Sequence, residues 1–403
     1  MMIIPTSWQY ERGIFLIFIC VFSAIRVNSL RLKYCKDILI FSAICLAISF
    51  IWIIIGLVNQ TPGAIRVSGV YLLWPLAYIL FIGVFNRIED LTPFYNSILV
   101  GLLGVEILTF LFIGDFLRVT QLGTMQIFEQ MNPSINIGIY EGQAGLFHAG
   151  LTTLNFSLPF LITKIIIDIT NNKYNKVEIA IVLIGIFIAL LSSRRALWII
   201  LALSPVIYLI LKSFATKRFD MFNFLRISII GIMLISISSY ILQLDISLLL
   251  DRLSAGFDFD NPTNESAYRR NEQFHALIDG WLENPLIGAG HGAAAIDNKN
   301  LEEMQWAYEL SYLALLFQVG IIGFLVYLIS IIWMIIKLIQ KLKKNQEYSI
   351  IILPILVGLI CFLIANATNP YLLKFDYLWV IFLPLAYLNA ICINNSHFNN
   401  RKK

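Results

Sequence analysis

Three groups of polar residues interrupt an otherwise apolar chain, and each has the makings of a binding or reactive site. The first is Ser192-Ser193-Arg194-Arg195-Ala196-Leu197-Trp198, which joins two apolar blocks with almost no loop. Arginine carries a flat, permanently charged fork that suits phosphate and carboxylate. One arginine here can line a polar cavity and bind an anionic head group. Both can equally be snorkelling anchors at a membrane rim, with Trp198 as the belt residue beside them.

The second group runs from Asn264 to Gly292. Phe274, Leu277, Ile278, Trp281 and Leu282 follow helical spacing, which predicts an amphipathic helix outside the membrane with these residues facing inward. Arg270 precedes Phe274 by four residues and so lies on the same stripe, where a charge needs a partner. Arg269 sits beside it. The helix is expected to end at Asn284-Pro285, followed by Leu286-Ile287-Gly288-Ala289-Gly290-His291-Gly292. Alternating glycines let backbone amides approach a phosphate closely, and they also make plain turns. No strand precedes them, so they are not a dinucleotide fingerprint.

The third is Tyr308-Glu309-Leu310-Ser311-Tyr312, at the top of a long apolar segment that passes through Gln318-Val319-Gly320-Ile321-Ile322-Gly323. Glu309 is either an ordinary interfacial charge or a carboxylate held beside the arginines as a general base. His148, Glu141 and Glu106 fall in or near apolar blocks and read as packing or interfacial residues, although ionisable groups at membrane depth are functional candidates by default. His275 and His397 have no constellation around them. No His-Glu-x-x-His pattern occurs, and no metal site is expected.

The elements that must position these residues are membrane helices. The chain has 403 residues, of which 59% are hydrophobic and only 13% charged, and its mean hydropathy is +0.79. Soluble domains average about 45–50% apolar and about 25% charged residues. The apolar residues come in blocks that match the roughly 20 residues a helix needs to cross a bilayer. This composition excludes soluble enzymes and disordered binders, and the alternating strands of a β-barrel are absent from the pattern. The net charge of +4 gives no reason to expect nucleic acid. The five cysteines form no CxxC pair, so neither a disulfide framework nor a zinc site is expected.

The fold class expected is all-α and polytopic, a single integral membrane domain over 1–403 with about 11–12 transmembrane helices. Spans are placed near 13–30, 37–58, 68–86, 92–113, 146–168, 178–193, 195–212, 225–244, 309–337, 349–367 and 372–392. Nineteen of the 29 lysines and arginines gather on one set of connections, which the positive-inside tendency assigns to the cytoplasm. Two segments outside the spans are long, an external loop at 114–145 and a large external, periplasmic loop at 245–308. Eight of the ten basic residues away from the cytoplasmic side are arginines, so the outer face is expected to do the work.

In this order and spacing the three groups resemble the bacterial O-antigen polymerase and O-antigen ligase superfamily. Ser193-Arg194 resembles its rim motif, with Arg195 in place of the usual glycine. Arg270 lies fifteen residues before Pro285, Pro285 to Gly290 resembles its external loop, and Gly320-Ile321-Ile322-Gly323 its helix. Asn369-Pro370-Tyr371 and Trp379 through Ala386 are similar to the closing span of its polymerases. Ligases of the superfamily carry Ala-His-Asn where this chain has Tyr308-Glu309-Leu310, which favours a polymerase.

The resemblance implies a membrane glycosyltransferase of the C class, needing no cofactor and no bound metal, in the bacterial inner membrane with its site facing the periplasm. It would join undecaprenyl-diphosphate-linked repeat units into O-antigen, capsule or exopolysaccharide. Arg194 and Arg270, with Arg195, Arg269 and the loop glycines Gly288 and Gly290, would hold the diphosphate. Glu309 would take the acceptor's proton, with His291 assisting. The partners implied are lipid-linked glycans, the bilayer, a chain-length regulator and a flippase. The alternatives are a ligase moving finished glycan onto lipid A core or protein, and a lipid-linked-oligosaccharide flippase. Against the flippase stand the long external loop and the lack of a repeated helical half.

Overall fold

The computed structural model describes residues 33–84, 87–89, 92–124, 136–140, 143–192, 194–216, 265–295 and 304–400, with Ile14, Phe18 and Gln126. The spans expected at 13–30 and 225–244 therefore lie outside the described residues, apart from Ile14 and Phe18, which are helical. In chain order the elements are α1 (Lys36–Val58), α2 (Ala64–Ser68), a π-helical stretch (Gly69–Leu73), α3 (Trp74–Val84), α4 (Thr92–Phe116), β1 (Asn136–Tyr140) and β2 (Gln143–Phe147). There follow α5 (Leu154–Thr170), α6 (Lys176–Leu191), α7 (Arg195–Thr216), α8 (Glu265–Glu283), α9 (Ser311–Lys344), α10 (Ser349–Asn366) and α11 (Trp379–Asn400).

Eight of the described helical segments are long and apolar enough to cross a bilayer, so the chain is a multi-pass, helical membrane protein. They coincide with eight of the expected spans. Helix α6 is also where the pattern placed it, but its 16 residues fall short of a full crossing. The segment 114–145 departs from a plain loop. Helix α4 runs on to Phe116, and β1 pairs antiparallel with β2, from Asn136 opposite Phe147 to Tyr140 opposite Gln143. The helix expected from 146 accordingly begins only at Leu154, after a 3-10 turn at Ala149–Thr153.

Expected as a single domain, the chain divides by its contacts into two compact units. One comprises 92–252 and 339–365 with the first residues of the chain. Its described core is α4, α5, α6 and α7, closed by Leu102, Val105, Phe112, Phe156, Leu158, Ile188 and Ile200, all fully buried. Helix α10 joins this core, with Gly358 against the ring of Phe156. The other unit comprises 15–91, 253–338 and 366–403. There Asn389 of α11 binds three backbone groups at once: it accepts from the Cys35 amide at 2.8 Å and donates to the carbonyls of Lys33 and Ile82 at 3.0 and 3.3 Å. A buried amide side chain that satisfies this many groups locks the chain at that point.

Helix α9 is broken. Gly320 has φ 60° and ψ −176°, which ends one helix at Val319 and starts another at Ile321. In a continuous helix the amides of residues 321 and 322 would donate to the carbonyls of 317 and 318. Instead Ile321 and Ile322 donate to Pro285 and Leu286 at 2.9 and 3.2 Å, while Ala289 and Gly290 donate to Phe317 and Gln318 at 3.1 and 2.8 Å. The loop after α8 is thus spliced into the break, and every backbone group it displaces is satisfied again. Backbone this irregular survives near a membrane only when it is buried in protein and fully paired. The two glycine-bearing motifs, thirty-odd residues apart, are two halves of one packing solution.

Gly290 shows how tight that solution is. Its φ is +96°, and a Cβ there would sit 2.4 Å from the Gly56 amide nitrogen of α1. Strain of this kind costs on the order of 1–3 kcal/mol before any clash is counted. Gly290→Ala is expected to lower the yield of folded protein and its Tm in detergent, as checked by fluorescence-detected size exclusion on heating. A variant with wild-type Tm would mean the loop can leave the break without penalty.

Candidate functional site

The arginine that the sequence left without a partner finds one 39 residues away. Arg270 is on α8, and its Nε donates to Glu309 Oε2 at 2.7 Å. Glu309 does not open the following helix, as expected from the sequence; α9 begins two residues later at Ser311, and Glu309 lies in the bend before it. Two further contacts hold it there. Gln273, one turn beyond Arg270 and almost fully buried, accepts from the Glu309 amide through Oε1 at 2.9 Å. Ser311 is bonded to Asn366, whose Nδ2 donates to Ser311 Oγ at 3.0 Å and whose Oδ1 accepts from Leu372 N at 3.0 Å.

The pair is held but not sealed. The side chains keep 21% and 30% of their exposure. Glu309 Oε1 takes no hydrogen bond from the described residues, and the Nη groups of Arg270 give none. The site therefore presents two open functions side by side: an N–H fork for an anion, and a carboxylate oxygen for a proton. Sequence reasoning missed Gln273 and Asn366, which position this pair. Gln273 was legible in principle, because a polar residue three positions after Arg270 shares its helix face. Asn366 carried no such signal.

The amphipathic helix is confirmed over Glu265–Glu283, but only part of its expected inward face, Leu277 and Trp281, packs on the core. Ala267, Gln273 and Leu277 are buried, with Leu277 closing a core with Ala293, Tyr308, Ala314 and Phe317. Phe274 and Leu282, expected inside, are 46% and 59% exposed. Arg269 is half-buried on the same helix.

Gly288, Gly290 and His291 are corrected more sharply. The amides of Gly288, Ala289, Gly290 and His291 all end on protein carbonyls, at 2.8, 3.1, 2.8 and 3.0 Å. The loop's own carbonyls are met by Trp52 Nε1 on Ile287 at 2.6 Å, Asn59 Nδ2 on Ala289 at 3.0 Å and Thr61 Oγ1 on His291 at 2.8 Å. The amides of Gly288 and Gly290, the two expected to cradle a diphosphate, are therefore already taken. His291 is fully buried, stacked on Tyr71 at 3.9 Å between centroids, with Nε2 3.1 Å from the Tyr327 hydroxyl. Burial pushes its imidazole down to about 3, against the opposing pull of Gln318, so the ring is neutral. A sealed, neutral ring has no route to a substrate proton, and His291 is a packing residue.

The rim belongs to the other unit. Ser192 is buried and its Oγ donates to Ala189 O at 2.7 Å, the same carbonyl that accepts from Trp198 Nε1 at 3.0 Å. The half-buried Arg194 donates to Thr152 Oγ1 at 3.0 Å and to the His148 carbonyl at 3.3 Å, both in its own unit. Arg195 opens α7 and is likewise half-buried; Ser193 lies outside the described residues. His148, buried, pairs through Nε2 with Thr109 Oγ1 at 3.0 Å. Burial, and after it the charge of Arg194, push His148 down to about 3. Glu106 is buried one turn before Thr109, and neither of its carboxyl oxygens has a hydrogen-bond partner among the described residues.

Glu141 lies outside the described residues. So do Asp258 and Asp260, a DxD pair that stands against the expected lack of any metal motif, since paired carboxylates suit a divalent cation. Among the described residues no group of three or more histidine, cysteine or acidic side chains is placed to hold a metal. Comparison of the chain with family models, with curated proteins and with solved structures gave no match in any of the three.

Proposed function

We propose that the chain is a membrane glycosyltransferase that polymerises lipid-diphosphate-linked repeat units at the outer face of a bacterial inner membrane. One observation carries the reading: the Arg270–Glu309 pair is joined at 2.7 Å and partly exposed, and among the described residues the Nη groups of Arg270 and Oε1 of Glu309 have no hydrogen-bond partner. Glycosyl transfer from a diphosphate asks for those two functions together. The acceptor hydroxyl attacks the anomeric carbon, the bond from that carbon to the diphosphate oxygen breaks, and the leaving diphosphate carries away the electron pair. The N–H groups of Arg270 neutralise the charge that develops on it. Glu309 Oε1 takes the hydroxyl proton as the new bond forms. The sugar–diphosphate bond supplies the driving force, so no nucleotide is needed on that side of the membrane. Arg194, held by Thr152 and His148, is assigned an anion contact in its own unit.

Removing the gene from its host tests the reading directly. Loss of a polymerase is expected to leave one repeat unit on the carrier or on the lipopolysaccharide core, visible as the collapse of a ladder to its first rung. Long chains accumulating on the carrier would assign the protein to ligation. Loss of the whole ladder including its first rung, with repeat units trapped on the cytoplasmic side, would assign it to transport.

A further inference from the structure

The apolar residues of α8 form two separate faces, and among the described residues only one of them packs into a protein core. Gln273 and Leu277 face the core. Phe274, Ile278 and Leu282, spaced by four, form a ridge beside it, with Phe274 and Leu282 exposed and Ile278 half-buried. Glu272, Asp279 and Glu283 form a third, acidic row, all exposed. A helix with one protein face, one apolar face and one charged face is built for a boundary between two solvents.

The apolar ridge does not stop at the end of α8. It runs on into Leu286 and Ile287, 60% and 51% exposed. The Leu286 carbonyl accepts from Ile322 N at 3.2 Å. Ile322 is itself exposed and begins the row Ile322, Leu325, Ile329, Ile332 and Ile336 along α9. That row is the lipid-facing side of a membrane helix. The part of α9 after the break is 24 residues, or about 36 Å at 1.5 Å per residue, against a hydrocarbon core of about 30 Å. The exposed row from Ile322 to Ile336 covers about 21 Å of this length, with Ile322 at its α8 end, and the α8 ridge extends that apolar surface sideways.

We propose that α8 lies in the plane of the membrane interface, with Phe274, Ile278 and Leu282 inserted into the bilayer and the row Glu272, Asp279, Glu283 in water. The occupant of the exposed ridge is lipid. Arg270, on the same helix, is thereby kept at headgroup depth, the depth of any diphosphate borne on a lipid chain. The placement of the helix stands on its exposed residues alone and does not depend on the chemistry assigned to Arg270.

The test uses the full chain with its five cysteines replaced by serine, reconstituted into vesicles of phosphatidylethanolamine and phosphatidylglycerol. Phe274→Cys, Leu282→Cys and Asp279→Cys are each labelled with an environment-sensitive fluorophore. Labels at 274 and 282 are expected to emit in the blue, to be quenched by brominated lipid and to resist iodide. The label at 279 should do the reverse. Equal iodide quenching at all three positions would overturn the proposal. So would protection at 274 and 282 without quenching by brominated lipid, or crosslinking through these positions between copies, either of which would give the ridge a protein partner. If labelling disturbs the fold, Leu282→Asp read by brominated-lipid quenching of tryptophan emission provides the second measurement. Loss of part of that quenching is expected, and no change would overturn the proposal.

Discussion

Purified Glu309→Gln protein is expected to bind a lipid-diphosphate glycan as well as the parent and to extend it about 10²–10⁴-fold more slowly, the usual loss when a general base is removed. The substitution keeps the shape of the side chain and one acceptor oxygen for Arg270 Nε, which now lies 2.7 Å from Glu309 Oε2. It removes the ability to accept a proton near neutral pH. Backbone contacts at this position, to Gln273 and Ser311, do not involve the carboxylate and should survive. Single-turnover extension by the detergent-solubilised protein, read by gel mobility, separates the two effects. Extension at the parental rate would remove Glu309 from the chemistry and leave it as the structural partner of Arg270. Glu309→His is the companion variant, since imidazole can also accept a proton; partial recovery relative to glutamine would show that the position needs a base and not merely an acceptor.

Arg270→Lys is expected to slow extension by about 10²–10³-fold, the scale of losing one preorganised donor to developing negative charge. Lysine keeps the charge but loses the planar fork. It cannot hold Glu309 through one nitrogen while presenting the others to a diphosphate. The loss should appear in kcat more than in KM, because the charge on the leaving group is greater in the transition state than in the bound substrate. The protein should remain in the membrane at parental abundance. Arg270 and Glu309 are in contact, so the double variant should cost less than the product of the two single losses. Multiplying losses would mean that the residues act at separate places, and parental activity of Arg270→Lys would reduce the arginine to an electrostatic background.

The membrane character of the chain and most of its spans were legible in the sequence, because a helix crossing lipid must be apolar along some twenty residues whatever its neighbours are. The amphipathic helix before Pro285 and the need of Arg270 for a partner were legible for the same local reason: helical periodicity reports angle around an axis. Periodicity does not report what lies on the other side of an apolar face. Leu277 meets protein while Phe274 and Leu282 face outward, and the two environments select the same residue types. Spacing could not pair Arg270 with Glu309 across 39 residues, nor show that Gln273 holds the glutamate's backbone. It also misled at Gly288 and Gly290. A glycine that brings backbone close to a phosphate and one that brings it close to another backbone look alike in sequence, and only the tertiary structure shows the Gly288 amide ending on Asn284 and the Gly290 amide on Gln318, a carbonyl exposed by the break at Gly320. Local chemistry determined which residues were able to act; the long-range pairing of backbone groups, each of which must be satisfied once water is excluded, decided which of them remain free to do so.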